Sequence, residues 1–256
     1  VTVDSEEACV ALITEAELRK QSVNVFIDID NGMHRTGIEA KNAGVLVDYI
    51  KNNKWMNFQG FHVYDGHIHE SDLVIRENHC NNDFEAVNQL IKETKIKGIE
   101  VHEIACGGTF TFPIHAKYNS RTLCPGTPIL WDAGYEQNIP ELDFLHSAIL
   151  VGRVISKPLN NLCLDLGYKS LASEMSHPRL KFLDLKINNV INHSEEHLVI
   201  STDQKNNLQE GDLVYTVPFH ICPTIALHER VYVVENNNAT QTWNVVARKR
   251  NYKLKN

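Results

Sequence analysis

His220 and Cys222 stand two residues apart in Pro218-Phe-His-Ile-Cys-Pro-Thr, placing an imidazole and a thiol where one divalent ion could share them. On an extended segment residues i and i+2 point to the same face, so the spacing suits a shared ligand. Nitrogen with sulfur favours Zn²⁺ over Mg²⁺ or Ca²⁺. A lone HxC is a loose motif, and plain packing of both residues is the other reading. Gly107-Gly108-Thr109 and Pro125-Gly126-Thr127 offer a second kind of chemistry. Backbone N–H groups in glycine turns, with a threonine hydroxyl beside them, can cradle a phosphate; two ordinary turns are the alternative. A third group lies in two further loops: His34 and Arg35 in Asp28-Ile-Asp-Asn-Gly-Met-His-Arg-Thr-Gly, and Tyr64, His67 and His69 in Tyr64-Asp-Gly-His-Ile-His. The HxH pair could chelate a metal or be incidental in a polar loop.

These loops need a frame. From Val1 to about Trp131, short β-branched runs alternate with helix-like stretches, the βαβα pattern of a parallel sheet or barrel. Strands are expected at 1–3, 23–29, 58–64, 99–105 and near 121–123, with helices over 6–20, 39–52 and 84–95. The candidate loops of this half therefore follow strands, where α/β barrels gather their chemistry. The two glycine turns follow the last strands of the series, a common phosphate position in barrels. After about Ser147 the helices disappear and short strands take over, at 149–155, 186–191, 198–202, 213–217, 231–234 and 242–247. Asn206-Asn207 and Asn236-Asn237-Asn238 read as turn tips.

The 256 residues are 43% hydrophobic and 22% charged, enough to bury a core and outside the disordered and fibrous ranges. A net charge of −7 gives no long-range attraction for nucleic acid or anionic lipid. Apolar runs fall short of a membrane span, and the first residues lack the basic and apolar regions of an export signal. Six cysteines without a CxxC pair suit reduced thiols in a cytoplasm.

Several motifs occur in a fixed order: Asp-x-Gly-x-x-Arg-x-Gly (30–37), the Tyr64 loop, Gly-Gly-Thr (107–109), Pro-Gly-Thr-x-x-x-Trp-Asp (125–132), Asp-x-Gly-x-Lys (165–169), Glu-Glu-His (195–197) and His-x-Cys-Pro-Thr (220–224). Together they resemble the D-threonine aldolase and D-serine dehydratase family, whose members have an alanine-racemase-like fold. The resemblance implies an α/β plus all-β chain: a partial (β/α)8 TIM-like barrel, strands 4 to 8, over residues 1–146, then a C-terminal β domain over 147–256. It implies pyridoxal 5'-phosphate as cofactor, its phosphate held by Gly107, Gly108, Thr109, Gly126 and Thr127. Arg35 would lie near the pyridine nitrogen, where a permanent cation limits ring protonation. Tyr64 would be a catalytic residue near cofactor or substrate. His220 and Cys222 would hold a divalent metal, Zn²⁺ favoured and Mn²⁺ or Mg²⁺ admissible, that binds the β-hydroxyl of a D-amino acid. Either retro-aldol cleavage or dehydrative deamination could follow. A racemase of the same fold, a non-catalytic pyridoxal-phosphate-binding remnant and a sugar-phosphate barrel enzyme are the alternatives. Family relatives are usually homodimers. Asp165, Lys169, Glu196 and His197 match family positions without an assigned role.

Such enzymes carry a Schiff-base lysine on the first barrel strand. By order, the strand at 1–3 matches the fourth, and Lys20, Lys41, Lys54 and Lys117 sit in helix or loop contexts. The expectation is an N-terminally incomplete record of a longer enzyme.

Overall fold

The computed structural model describes residues 1–250. Two compact units divide it, one over Val1–Gly126 and one from Thr127 onward. The first contains β1 (Thr2–Val3), α1 (Glu6–Arg19), β2 (Val23–Asp30), β3 (Ile38–Glu39), α2 (Gly44–Lys51), β4 (Met56–Val63), α3 (Leu73–Ile96), β5 (Glu103–Cys106), α4 (Phe112–His115) and β6 (Thr122–Leu123). Its sheet runs β1-β2-β4-β5-β6 with β3 on β2, and every pairing is parallel. Strands laid down in chain order with helices between them form part of a (β/α)8 barrel wall.

Local chemistry sets the boundaries. Ser5 caps α1, its hydroxyl accepting from the Ala8 amide at 3.2 Å, and Lys20 ends the helix in the left-handed region at φ 54°. Alternation in β2 buries Val25, Ile27 and Ile29, which pack with Phe58, Phe61 and Val63 of β4 and with Leu46, Val47 and Ile50 of α2. Full burial of side chains this size contributes roughly 1.5–3 kcal/mol each. The helix expected over 84–95 begins at Leu73, because its first turns bury Arg76 and Cys80 instead of an apolar stripe. The strand expected at 99–105 shortens to β5, since the Ile99 amide is drawn back to the Thr94 carbonyl at 3.2 Å. The stretch 39–52 divides into a 3-10 turn, Ala40–Asn42, and α2.

The second unit holds α5 (Ala133–Asn138), β7 (Leu150–Ser156), β8 (Asn161–Leu164), β9 (Leu180–Phe182), β10 (Asn189–His193), β11 (Leu198–Ser201), β12 (Leu213–Pro218), α6 (Ile221–Ala226), β13 (Arg230–Glu235) and β14 (Asn238–Asn244). Six strands form an antiparallel sheet ordered β10-β11-β8-β7-β12-β9, and β13 and β14 form a hairpin. Val154, Leu162, Leu164, Leu198, Ile200 and Val214 fill its core. Asn236 and Asn237 turn the hairpin with φ of 50° and 63°. Helices do not vanish from this half: α6 interrupts the strands, too short for a 3.6-residue pattern to reveal it. No helix among the described residues is long and apolar enough to cross a membrane.

Candidate active site

The loop after β2 is folded by Asp30, whose Oδ1 accepts from the amides of Gly32 (3.0 Å) and His34 (2.9 Å) while Oδ2 meets His34 Nδ1 at 2.9 Å. Burial alone would raise the Asp30 carboxyl; the amide donors outweigh it and hold the group below the usual carboxylate range. This loop presents Arg35, whose guanidinium lies 4.5 Å from the centroid of the Tyr64 ring. Tyr64 leaves β4 and packs against Gly108, where an added Cβ would stand 3.3 Å from its Cε2. Arg35, Tyr64 and Gly108, picked separately from the sequence, thus form one cluster.

Gly107-Gly108-Thr109 leaves β5 as a turn, with Gly107 at φ 85°. Its amides are not all open, as the glycine nest would suggest. Gly107 N–H donates to Val63 O at 3.3 Å, and Gly108 N–H donates to Asp65 Oδ1 at 2.9 Å and Thr111 Oγ1 at 3.0 Å. The glycines shape the turn, and Thr109 keeps its donors: buried, its amide and hydroxyl have no hydrogen-bond partner among the described residues. A phosphate oxygen satisfies such groups. Gly126 is exposed after β6, and Thr127 opens a 3-10 turn, Thr127–Ile129.

Beneath the turn lies a network that the sequence did not disclose. Asp65 is buried, accepting from Thr111 Oγ1 at 2.6 Å and meeting His115 Nε2 at 2.7 Å; Arg121 donates to His115 Nδ1 at 2.7 Å. A guanidinium only donates, so His115 carries its proton on Nε2 and donates it to Asp65. Burial works to raise the Asp65 carboxyl, but His115, Thr111 and the Gly108 amide hold it down. Burial pushes the neighbouring Cys80 thiol up to about 12. Asp65 lies inside the Tyr64 loop, whereas no motif marks His115 or Arg121.

In the second unit His220 is the extended N-cap of α6 and Cys222 lies in its first turn, so the segment bends where an extended run was expected. The pair still meets. The Cys222 thiol is drawn down, first by its hydrogen bond with His220, and His220 is pushed up to about 9 by the same bond and by Glu174, whose Oε1 is 2.6 Å from Nδ1. Thr127 Oγ1 lies 3.4 Å from Cys222 Sγ, which puts one expected phosphate residue beside the thiol. Thr224 fixes the turn, donating to His220 O at 2.7 Å and accepting from the Ala172 amide at 3.1 Å. Asp132, buried and raised by that burial, accepts from Tyr135 N at 2.8 Å and Ile221 N at 3.0 Å, tying α5 to α6. A thiol drawn below its ordinary value beside an imidazole fits a borderline-soft cation. Asp165 and Lys169 serve the fold: Asp165 accepts from the Arg153 amide at 2.6 Å, and Lys169 pairs with Glu195 and Glu196 at 2.8 Å. Lys41 pairs with Glu39, Lys117 with Glu77 and Lys54 lies over the Trp55 ring, while Lys20 is the C-cap of α1.

A parallel sheet with helices between its strands, followed by an antiparallel β unit, is the architecture of the alanine-racemase-like class. The family model described as "Alanine racemase, N-terminal domain" matches residues 1–129, and that described as "Putative serine dehydratase domain" matches 147–234. The chain belongs to the D-threonine aldolase and D-serine dehydratase family of alanine-racemase-like, fold-type III pyridoxal-phosphate proteins. It is 25% identical to a D-serine dehydratase of Dictyostelium discoideum, covering 84% of this chain and 62% of that protein. It is 26% identical to a D-threonine aldolase of Arthrobacter sp, covering 88% of this chain and 61% of that protein. The chain thus spans about three fifths of the length of both relatives. The crystal structure of D-threonine aldolase from Filomicrobium marinum superposes with a TM-score of 0.83 at 23% identity, over 97% of this chain and 69% of that one.

Proposed function

We propose that this chain carries the phosphate-holding and metal-holding residues of a pyridoxal-phosphate and divalent-metal-dependent lyase acting on D-β-hydroxy amino acids. The observation that carries this reading is the His220–Cys222 pair, an imidazole bonded to Glu174 and a thiol in contact with Thr127 and drawn below its ordinary value by His220. A racemase of the same fold has less need of it.

Thr109 would hold the cofactor phosphate through its unpartnered amide and hydroxyl, with Gly107 and Gly108 keeping the turn in shape and Gly126 and Thr127 supplying the second turn. Arg35 would supply a permanent positive charge beside Tyr64. His220 and Cys222 would ligate the metal, and Glu174, bonded to His220 Nδ1, orients the ring so that Nε2 is the ligating atom. When bound, pyridoxal phosphate supplies an electron sink for charge left at Cα, and the metal supplies Lewis acidity to the β-hydroxyl. Thiolate in the second ligand position favours dehydration over aldol cleavage. The same reading makes the protein a cytoplasmic homodimer, for which light scattering would give twice the chain mass.

The test gives the full gene product D-serine, D-threonine and a β-aryl D-serine and measures keto acid plus ammonia against glycine plus aldehyde. Keto acid is expected to dominate, to disappear with chelator and to return with Zn²⁺. Both His220→Ala and Cys222→Ala should lower the rate at least about 100-fold, the scale of losing a Lewis acid worth several kcal/mol. Activity unchanged by both substitutions and by chelator would sink the proposal.

A further inference from the structure

A second cluster of ligating atoms lies in the first unit. His67 Nε2 is 2.8 Å from Asp83 Oδ2, and His79 Nε2 is 3.2 Å from the same oxygen. One ligating atom from each of the three residues lies within 4.8 Å of the other two. Bonds of about 2.0–2.2 Å to a tetrahedral ion place neighbouring ligand atoms roughly 3.3–3.5 Å apart, so the 3.2 Å separation is close to a tetrahedron edge and the 2.8 Å one has to open by about half an ångström. His79 and Asp83, four residues apart, share one face of α3, while His67 arrives from the loop after β4.

A carboxylate orients one of the two imidazoles, and the polar groups around the cluster are buried. Glu70 Oε1 is 2.6 Å from His79 Nδ1, the carboxylate-histidine pairing that aims the opposite nitrogen at an ion. Glu70 Oε2 and His67 Nδ1 are buried and have no hydrogen-bond partner among the described residues. Gly32 leaves the space beside His67 Nε2, where an added Cβ would stand 2.6 Å from that nitrogen. The other cluster of this kind, Asp65, Cys80 and His115, is occupied differently: both His115 nitrogens are bonded, one by the Arg121 cation.

We propose that His67, His79 and Asp83 form a Zn²⁺-type site, separate from His220 and Cys222, that pins the Tyr64–His67 loop to α3. Two imidazoles and one carboxylate select a transition ion over Mg²⁺ or Ca²⁺. Three protein ligands leave a fourth position for water.

The experiment titrates Co²⁺ into metal-stripped full-length protein bearing His220→Ala and Cys222→Ser, so that the imidazole-thiol pair cannot contribute. The expected result is one equivalent bound, with tetrahedral visible absorption and no thiolate charge-transfer band. Zn²⁺ should displace it and raise the melting temperature. Adding His79→Gln or Asp83→Asn should abolish binding while the circular dichroism spectrum of the stripped protein stays unchanged. X-ray absorption at the zinc edge of the His220→Ala, Cys222→Ser protein should give nitrogen and oxygen neighbours only, a readout needing no further variant. Failure of that protein to bind Co²⁺ or Zn²⁺, or equal binding after both α3 substitutions, would overturn the assignment.

Discussion

Asp65 shows what a single buried carboxylate does here. It is 1% exposed and simultaneously holds Thr111, His115 and the Gly108 amide, so the turn ahead of Thr109 takes its position from this side chain. Removing one partner of a buried ionic pair leaves the others desolvated and unpaired, which costs about 3–5 kcal/mol. Asp65→Ala is expected to lose that much stability in urea denaturation; a loss below about 1 kcal/mol, the scale of an exposed pair, would contradict the arrangement. At this scale the sequence is uneven. Residue types at loop positions singled out Arg35, Tyr64, the glycine-threonine turns and the imidazole-thiol pair as candidates. His115 and Arg121 escaped because their meaning lies in whom they touch: Asp65 is 50 positions from His115 in the chain.

Elements were legible where one face was apolar and period 2 or 3.6 survived. Strand β2 and the second half of α3 met that condition. The first half of α3 did not, because Arg76 turns inward to donate to the carbonyls of Glu70 (2.6 Å) and Ser71 (3.2 Å), replacing an apolar contact by polar ones. Polar pairing also crosses the sheet. Asp28 of β2 and His62 of β4 are register partners, with Asp28 Oδ1 2.6 Å from His62 Nδ1 and Thr36 Oγ1 donating to Oδ2 at 2.8 Å. Burial alone would raise the Asp28 carboxyl, yet the bonds from His62 and Thr36 outweigh it and hold the group below the usual range. A folded-state pKa below the unfolded value of about 3.9 stabilises the protein above that pH. The contribution is lost as pH falls through the lowered folded value. Asp28→Asn should therefore flatten the decline in stability below about pH 5, measured by denaturant unfolding across an acid series. Superimposable acid limbs for wild type and variant would show that the pair carries no such linkage.

For the whole molecule, the ordered set of short motifs identified the family where each alone was ambiguous, because order along the chain follows the order of barrel strands and then the β unit. On the proposed function, that order also divides the cofactor and metal residues between the two units, apart from Thr127, a phosphate candidate beside Cys222. Arg35, Tyr64, Gly107, Gly108, Thr109 and Gly126 lie in the first unit, and Thr127, His220 and Cys222 lie in the second. Substitutions at Gly107 and at Cys222, which lie in different units, should therefore impair cofactor loading and loading of the imidazole-thiol metal separately. Gly107→Ala is the sharpest perturbation of the first, since φ 85° is costly for alanine by roughly 1–2 kcal/mol and its Cβ would stand 2.8 Å from the buried His115 ring. The turn must shift, taking Thr109 with it. In the full-length protein this variant should retain at least about tenfold less pyridoxal phosphate after gel filtration, one decade per 1.4 kcal/mol. Its cobalt-thiolate charge-transfer absorption should match wild type. Cys222→Ser should give the converse, no thiolate band and normal cofactor content. If either variant lost both signals while keeping a native melting transition, the phosphate and metal residues would act as one inseparable site.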